Sequence, residues 1–336
     1  MRIAMLITGL LALPSMSLAH HSRGEFSGEM WEMEGELLEI DWSNPHPAFT
    51  LRIIDDGDVE KVWNIQGYGS LYTLTRAGVT GEHFAVGDHV RLFGQSSTRR
   101  DNLFLVSNVL TADGLEVVFN RNRGPVWTQT AIGGEVNYEA AGAELVNAAA
   151  ENRGIFRLWS RPDQVTQSRF TPPLTEQAAA LRDAWNPLDD TSMRCVPKGM
   201  PQAMGTPHPY EFVDDGDAIT ILGHEFNIVR TIHMNNAGDP ADQPPSHLGY
   251  SVGHWEGGSL VVETSRINWP YFGGRGAPQS EAVEVLERFT LSEDQSRFYY
   301  HTTVTDPATF TAPATVEGYW VALNETVEPY TCKIDE

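Results

Sequence analysis

Residues 282–305 read AVEVLERFTLSEDQSRFYYHTTVT. Two runs rich in β-branched and aromatic side chains, 282–290 and 297–305, flank a polar turn at Ser292, Glu293 and Asp294, the composition of two antiparallel strands with a short connection. The same unit recurs on both sides. Strands are expected at 210–213, 218–222, 225–233, 251–255, 259–264 and 315–322, with turns at Asp215-Gly216, Asn236 to Gly238 and Gly257-Gly258. Short antiparallel strands at this regular spacing point to a closed barrel or a sandwich. Upstream, 154–160 reads as a further strand. Residues 172–185 read as a helix that Thr175 caps and that ends before Asn186-Pro187.

The N-terminal half has a different rhythm. Strands are expected at 29–42, with a bulge near Gly35, and at 48–54, 59–65, 89–94, 103–110 and 115–119. Ser43-Asn44-Pro45-His46-Pro47 breaks the first from the second, because two prolines cannot sit in a continuing ladder. A helix over 70–77, stopped by Gly78, separates the third strand from the fourth. Three strands, a helix and two strands is the order of a five-stranded OB-type barrel. The chain is therefore expected to be mainly β: an OB-like barrel over 20–119, a connector over 120–150 and a larger antiparallel barrel over 151–336.

The sequence begins with Met1-Arg2, an apolar run from Ile3 to Leu13, and the small-residue stretch Ser15-Met16-Ser17-Leu18-Ala19. This is the layout of a secretory signal peptide over 1–19, too short for a membrane span, so the protein is expected to be periplasmic or secreted. Export implies an oxidising compartment, where Cys195 and Cys332, the two cysteines of the chain, are expected to be bridged. The chain carries 45 acidic residues against 23 Lys+Arg, a formal charge of -22. An OB-type barrel that binds oligonucleotides needs a basic groove, and this composition excludes nucleic acid as a partner.

Both halves resemble known families. The mature start His20-His21-Ser22, the pattern Gly35-x4-Ile40-x-Trp42-x-Asn44-Pro45-His46 and Gly87-Asp88-x-Val90-x-Leu92-x-Gly94 resemble a family of small exported proteins of unknown function with an OB-like barrel. Arg194-Cys195-x-Pro197-x-Gly199-Met200-Pro201, Arg230-Thr231-Ile232-His233, Gly253-x-Trp255-Glu256-Gly257-x2-Leu260-Val261-Val262, Ser280-Glu281, Glu287-Arg288-Phe289 and Asp306-Pro307 resemble a second exported family, with a lipocalin-like barrel. Neither resemblance implies an activity.

Three functional readings follow from the residues. A barrel of the second kind often encloses a small, partly apolar ligand, and Arg230, His233, Trp255, Glu263 and Glu287 are its candidate pocket residues. Against this stands the reading of the charged residues as structural ion pairs and solvated edges. The second reading is copper handling. Cleavage after Ala19 would give His20 both an α-amine and an imidazole for one ion, with His21 or His46 completing a nitrogen-rich set. Its rival is a solvated arm and a turn histidine. The third reading is an enzyme using a Glu/His acid–base pair in the second barrel, although the sequence has no nucleophile elbow, phosphate loop, zinc-protease pair or haem motif. Segment 268–276, with three aromatic residues and three glycines, reads as a flap over the barrel mouth.

Overall fold

The computed structural model describes residues 25–26, 28–54, 59–134, 154–162, 171–235, 237–273, 275–323 and 327–333. The expected signal peptide, His20 and His21 lie outside the described residues. Among those described, no helix is long and apolar enough to cross a membrane.

The first barrel is built from β1 (Trp31–Asp41), β2 (Ala48–Ile54), β3 (Glu60–Gly67), β4 (His89–Ser96) and β5 (Leu103–Leu110), with α1 (Leu71–Arg76) between β3 and β4. β1 pairs antiparallel with β2 and with β4, β2 with β3, and β4 with β5; a parallel β3–β5 pairing closes the ring. β6 (Glu116–Val118) and β7 (Ile132–Gly133) extend the sheet beyond β5, so the expected connector contributes a short strand. Alternation along β1 sends Met33, Gly35 and Leu37 inward. The register slips between Leu37 and Glu39, not at Gly35. A side chain at Gly35 would sit 2.3 Å from the Arg52 carbonyl oxygen, which is why that position has none. Leu37, Phe49, Ile65, Phe84, Leu92 and Val109 fill the barrel and leave no space that a water molecule could occupy.

The second barrel closes through nine strands. They are β8 (Leu158–Ser160), β9 (Tyr210–Asp214), β10 (Ala218–Gly223), β11 (Ile228–His233), β12 (Tyr250–Glu256), β13 (Ser259–Ser265), β14 (Glu284–Leu291), β15 (Arg297–Thr305) and β16 (Ala314–Leu323). Going round the ring, β9 to β16 follow in chain order, and β8 fits between β16 and β9. Every pairing is antiparallel except β11–β12, which is parallel and joined by the long connection 234–249. The ring therefore has one strand more than an eight-stranded lipocalin and one parallel seam. The expected helix is present as α2 (Glu176–Ala184), with the Thr175 hydroxyl accepting from the Ala178 amide at 3.3 Å.

The interior of this barrel is stacked in three layers. One end holds Trp159, Phe212, Phe289, Phe298, Tyr300 and Trp320. The other holds Ile228, Val285 and Val304, plugged by Met200, Phe272 and Phe310 from the loops. Phe272 is buried against Phe310, with ring centroids 5.0 Å apart, so this residue of segment 268–276 belongs to that plug and not to an open flap. Between the apolar layers runs a polar one. Period-two alternation places Arg230 between Ile228 and Ile232, Glu287 between Val285 and Phe289, and Thr302 between Tyr300 and Val304, all buried.

The two barrels touch through specific polar contacts. The C-terminal tail runs past the first barrel: the Cys332 backbone pairs with Asn44 in an isolated parallel β-bridge, the Lys333 amide donates to the Asn44 carbonyl at 2.8 Å, and the Lys333 ammonium pairs with Asp41. Asn44 also accepts from the Leu71 amide at 3.1 Å, so it holds the start of α1 as well. The expected disulfide Cys195–Cys332 is formed, with its Cα atoms 5.8 Å apart across a separation of 137 residues. It fastens the tail to the second barrel at the point where the tail meets the first.

Candidate functional site

The structure brings Arg230 and Glu287 together and separates the other expected pocket residues from them. The Arg230 Nη1 donates to Glu287 Oε1 at 3.2 Å and Nη2 donates to Oε2, a two-pronged pair. The same guanidinium donates to Ser251 Oγ at 3.2 Å and Thr264 Oγ1 at 2.9 Å. Arg230 is 2% and Glu287 1% exposed, and Phe289 occupies the next inward position after Glu287 on β14. The charges answer each other within the barrel interior. His233 lies at the end of β11 and stacks on Tyr250, with ring centroids 4.5 Å apart. Trp255 is half exposed at the end of β12, and Glu263 is exposed on the outer face of β13. No Glu/His pair is formed by these five residues.

Of the three metal candidates, only His46 lies among the described residues. His46 donates from Nδ1 to the Gly69 carbonyl at 2.8 Å, within the turn before α1. No group of three or more His, Cys, Asp or Glu side chains with metal-binding geometry occurs among the described residues.

A different site lies on the outside of the second barrel. Strand RFYYHTTVT, Arg297–Thr305, buries Phe298, Tyr300, Thr302 and Val304 on one face, leaving Arg297, Tyr299 and His301 on the other. Strand register then aligns its outward residues with those of its neighbours. Arg288, His301 and Glu317 form one row across β14, β15 and β16, and Thr290, Tyr299 and Tyr319 form the next. Between them is a groove of about 430 Å3 lined by these six side chains, with Tyr300 and Gly318 at its floor. The Tyr299 and Tyr319 rings stand 5.8 Å apart at 58°, and the Arg297 guanidinium lies over Tyr319 at 4.6 Å. Arg288 pairs with Glu256 on β12, and that hydrogen bond holds the Glu256 carboxyl below the usual carboxylate range. Gly318 has a clear purpose. A Cβ there would meet the Tyr300 hydroxyl at 2.5 Å, so its absence lets the Tyr300 ring lie under β16 against Trp320, 4.7 Å away.

A second polar cluster sits where the barrels meet. His208 Nε2 and Ser70 Oγ are hydrogen-bonded at 2.8 Å, with the rings of Tyr72 at 5.6 Å and Tyr330 at 5.2 Å. Burial pushes the His208 pKa down to about 4; the Glu225 charge opposes that shift and the Lys198 charge adds to it. Lys198 and Glu225 are a buried pair, at 3.1 and 3.2 Å. This cluster is closed in by Tyr330, whose backbone exchanges two hydrogen bonds with the Asn227 side chain, at 2.8 and 3.0 Å.

Sequence reasoning missed both constellations. The alternation of Arg297, Tyr299 and His301 against Phe298 and Tyr300 carried the signal for the groove. Nothing local links Ser70 to His208. No curated protein matches the chain. Residues 9–102 match the model of DUF6152, a family of unknown function, a match that takes in Asn44, His46, Ser70 and most of the first barrel.

Proposed function

We propose that the protein is an exported binding protein whose ligand, a small and partly apolar molecule, lies on the outer face of the second barrel across β14, β15 and β16. The observation that carries this reading is the groove of about 430 Å3 over Tyr299 and Tyr319. Sites for small molecules combine aromatic or apolar walls with a few polar groups that set orientation, in volumes of about 300–1,000 Å3. Here the tyrosine rings are the wall, and Arg288, Thr290, His301 and Glu317 are the polar groups. The apolar start of the chain supports export, as does a disulfide of the kind that persists in oxidising compartments. The barrel interior receives less support as the ligand site, because the two charged candidates inside it, Arg230 and Glu287, neutralise each other.

Native mass spectrometry of the full chain purified from its own periplasm tests this. The wild-type protein is expected to carry a small molecule that a Tyr299→Ala/Tyr319→Ala variant lacks. A bound mass retained by that variant would place the ligand elsewhere.

A further inference from the structure

The two barrels have separate cores. Among the described residues, every buried apolar cluster belongs to one barrel or the other, and none draws side chains from both. The contacts that join the barrels centre on polar groups. Tyr72 Oη and Ser160 Oγ lie 3.2 Å apart, and the Arg99 guanidinium donates to Asn186 Oδ1 at 2.9 Å. Lys333 of the tail pairs with Asp41, and His208 is hydrogen-bonded to Ser70. Ser160 shows how closely the surfaces fit. Trp159 beside it on β8 points into the second barrel, so Ser160 points out, yet it is buried with the Tyr72 hydroxyl against it. Domains joined by polar contacts without a shared core are free to move relative to one another.

We infer that His208 is an acid-released latch: a proton on its ring uncouples the second barrel from the first while each barrel stays folded. The ring lies between the barrels, with Ser70 and Tyr72 of the first beside it and Tyr330 of the tail packed against it. The charged and titratable groups that act on it from the second barrel are Glu225, Lys198 and His224. Glu225 is already engaged by Lys198, at 3.1 and 3.2 Å, so a proton on His208 would add a further cation to one buried carboxylate. From the first barrel come a hydroxyl and a phenol, Ser70 and Tyr72, neither of them a counter-charge. Burial accordingly pushes the His208 pKa down to about 4, against 6.5 for an ordinary imidazole. The closed arrangement is therefore most favoured above pH 6.5 and weakens as the pH falls towards 4, because the parted barrels take up a proton that the closed form refuses. For a ring that regains its ordinary value on opening, the opening equilibrium rises about twentyfold between pH 7 and pH 5.

The test is thiol labelling of a Ser160→Cys variant of the full chain with methyl methanethiosulfonate, at a concentration low enough for the rate to follow the open population. Each rate is divided by that of a Val62→Cys variant, whose position on β3 is exposed, which cancels the effect of pH on the thiol itself. The corrected rate is expected to rise about twentyfold from pH 7 to pH 5, and most of the rise should vanish when His208→Gln is added. Hydrogen exchange over 284–305 of the same protein, corrected for its intrinsic pH dependence, reports opening of the second barrel itself and should stay constant. Ser160→Cys changes one atom, so the variant should fold, which circular dichroism checks at both pH values. Three results overturn the inference. A corrected rate that does not rise removes the latch. A rise that survives His208→Gln assigns the effect to another group. A loss of protection over 284–305 in step with the labelling means that the second barrel unfolds, in place of two folded barrels parting.

Discussion

Arg230 and Glu287 meet in the middle of the second barrel, brought together from β11 and β14 and almost completely removed from water. Their pairing divides the interior into two apolar layers. It also explains how charged residues stand at inward positions of strands that are otherwise hydrophobic. Glu287→Gln leaves a buried guanidinium without its counter-charge and should cost about 3–5 kcal/mol. Replacing both residues by Met should recover most of that loss. Urea denaturation measures both, and a Glu287→Gln variant as stable as wild type would contradict the pairing.

His208 should make stability depend on pH. Its folded pKa, about 4, lies below the ordinary imidazole value of 6.5 because it is buried. Between those values the unfolded chain binds a proton that the native state refuses, so stability is greatest above pH 6.5 and falls as the pH drops towards 4. The loss from this group between pH 7 and pH 5 is about 2 kcal/mol by linkage. His208→Gln, which keeps a partner for Ser70, should flatten the slope of unfolding free energy in that window. An unchanged slope would mean that other groups set it.

The disulfide Cys195–Cys332 closes a separation of 137 residues and anchors the tail against Asn44. A Cys195→Ser/Cys332→Ser variant should lose about 2–5 kcal/mol. It should also become more open to proteolysis around 327–333, since the tail then keeps its contacts to Asn227, Asn44 and Asp41 and the Tyr330 ring packing but loses its covalent anchor. Limited proteolysis reads this directly. A tail as resistant as in wild type would show that those contacts suffice.

Gly35→Ala should destabilise the first barrel by about 1–3 kcal/mol, because the new methyl group runs into the Arg52 carbonyl of the neighbouring strand. Gly87→Ala offers a control of another kind. Nothing lies within 4 Å of its added carbon, so its cost would come only from the positive φ of 94°. Thermal melting of the two variants separates crowding from backbone strain. A Gly35→Ala melt that matches wild type would rule out the close approach.

Local patterns made much of the fold readable. Hydrophobic alternation marked most strands, Thr175 marked the start of α2, and the order of elements marked a five-stranded barrel. Export chemistry pointed to the bridge between Cys195 and Cys332. What escaped depends on pairing between distant segments. Gly35 looks like a bulge in sequence, whereas its reason is a carbonyl on β2. Arg230 and Glu287 invite a pocket when read alone, because only the closed ring shows them facing each other with aromatic residues on one side. Tyr299 and Tyr319 become neighbours only through the register of β15 with β16. Ser70 and His208 come from different barrels, 138 residues apart.

The central claim is that the outer face of β14, β15 and β16 is where this protein holds its ligand. Hydrogen exchange of the full chain, measured with and without N-phenyl-1-naphthylamine, an uncharged and apolar probe, tests it most directly. A bound probe should slow exchange in peptides covering 286–303 and 315–321 while leaving β9 to β11 unchanged. Protection confined to β9–β11 or to the first barrel, with 286–303 and 315–321 unaffected, would contradict it.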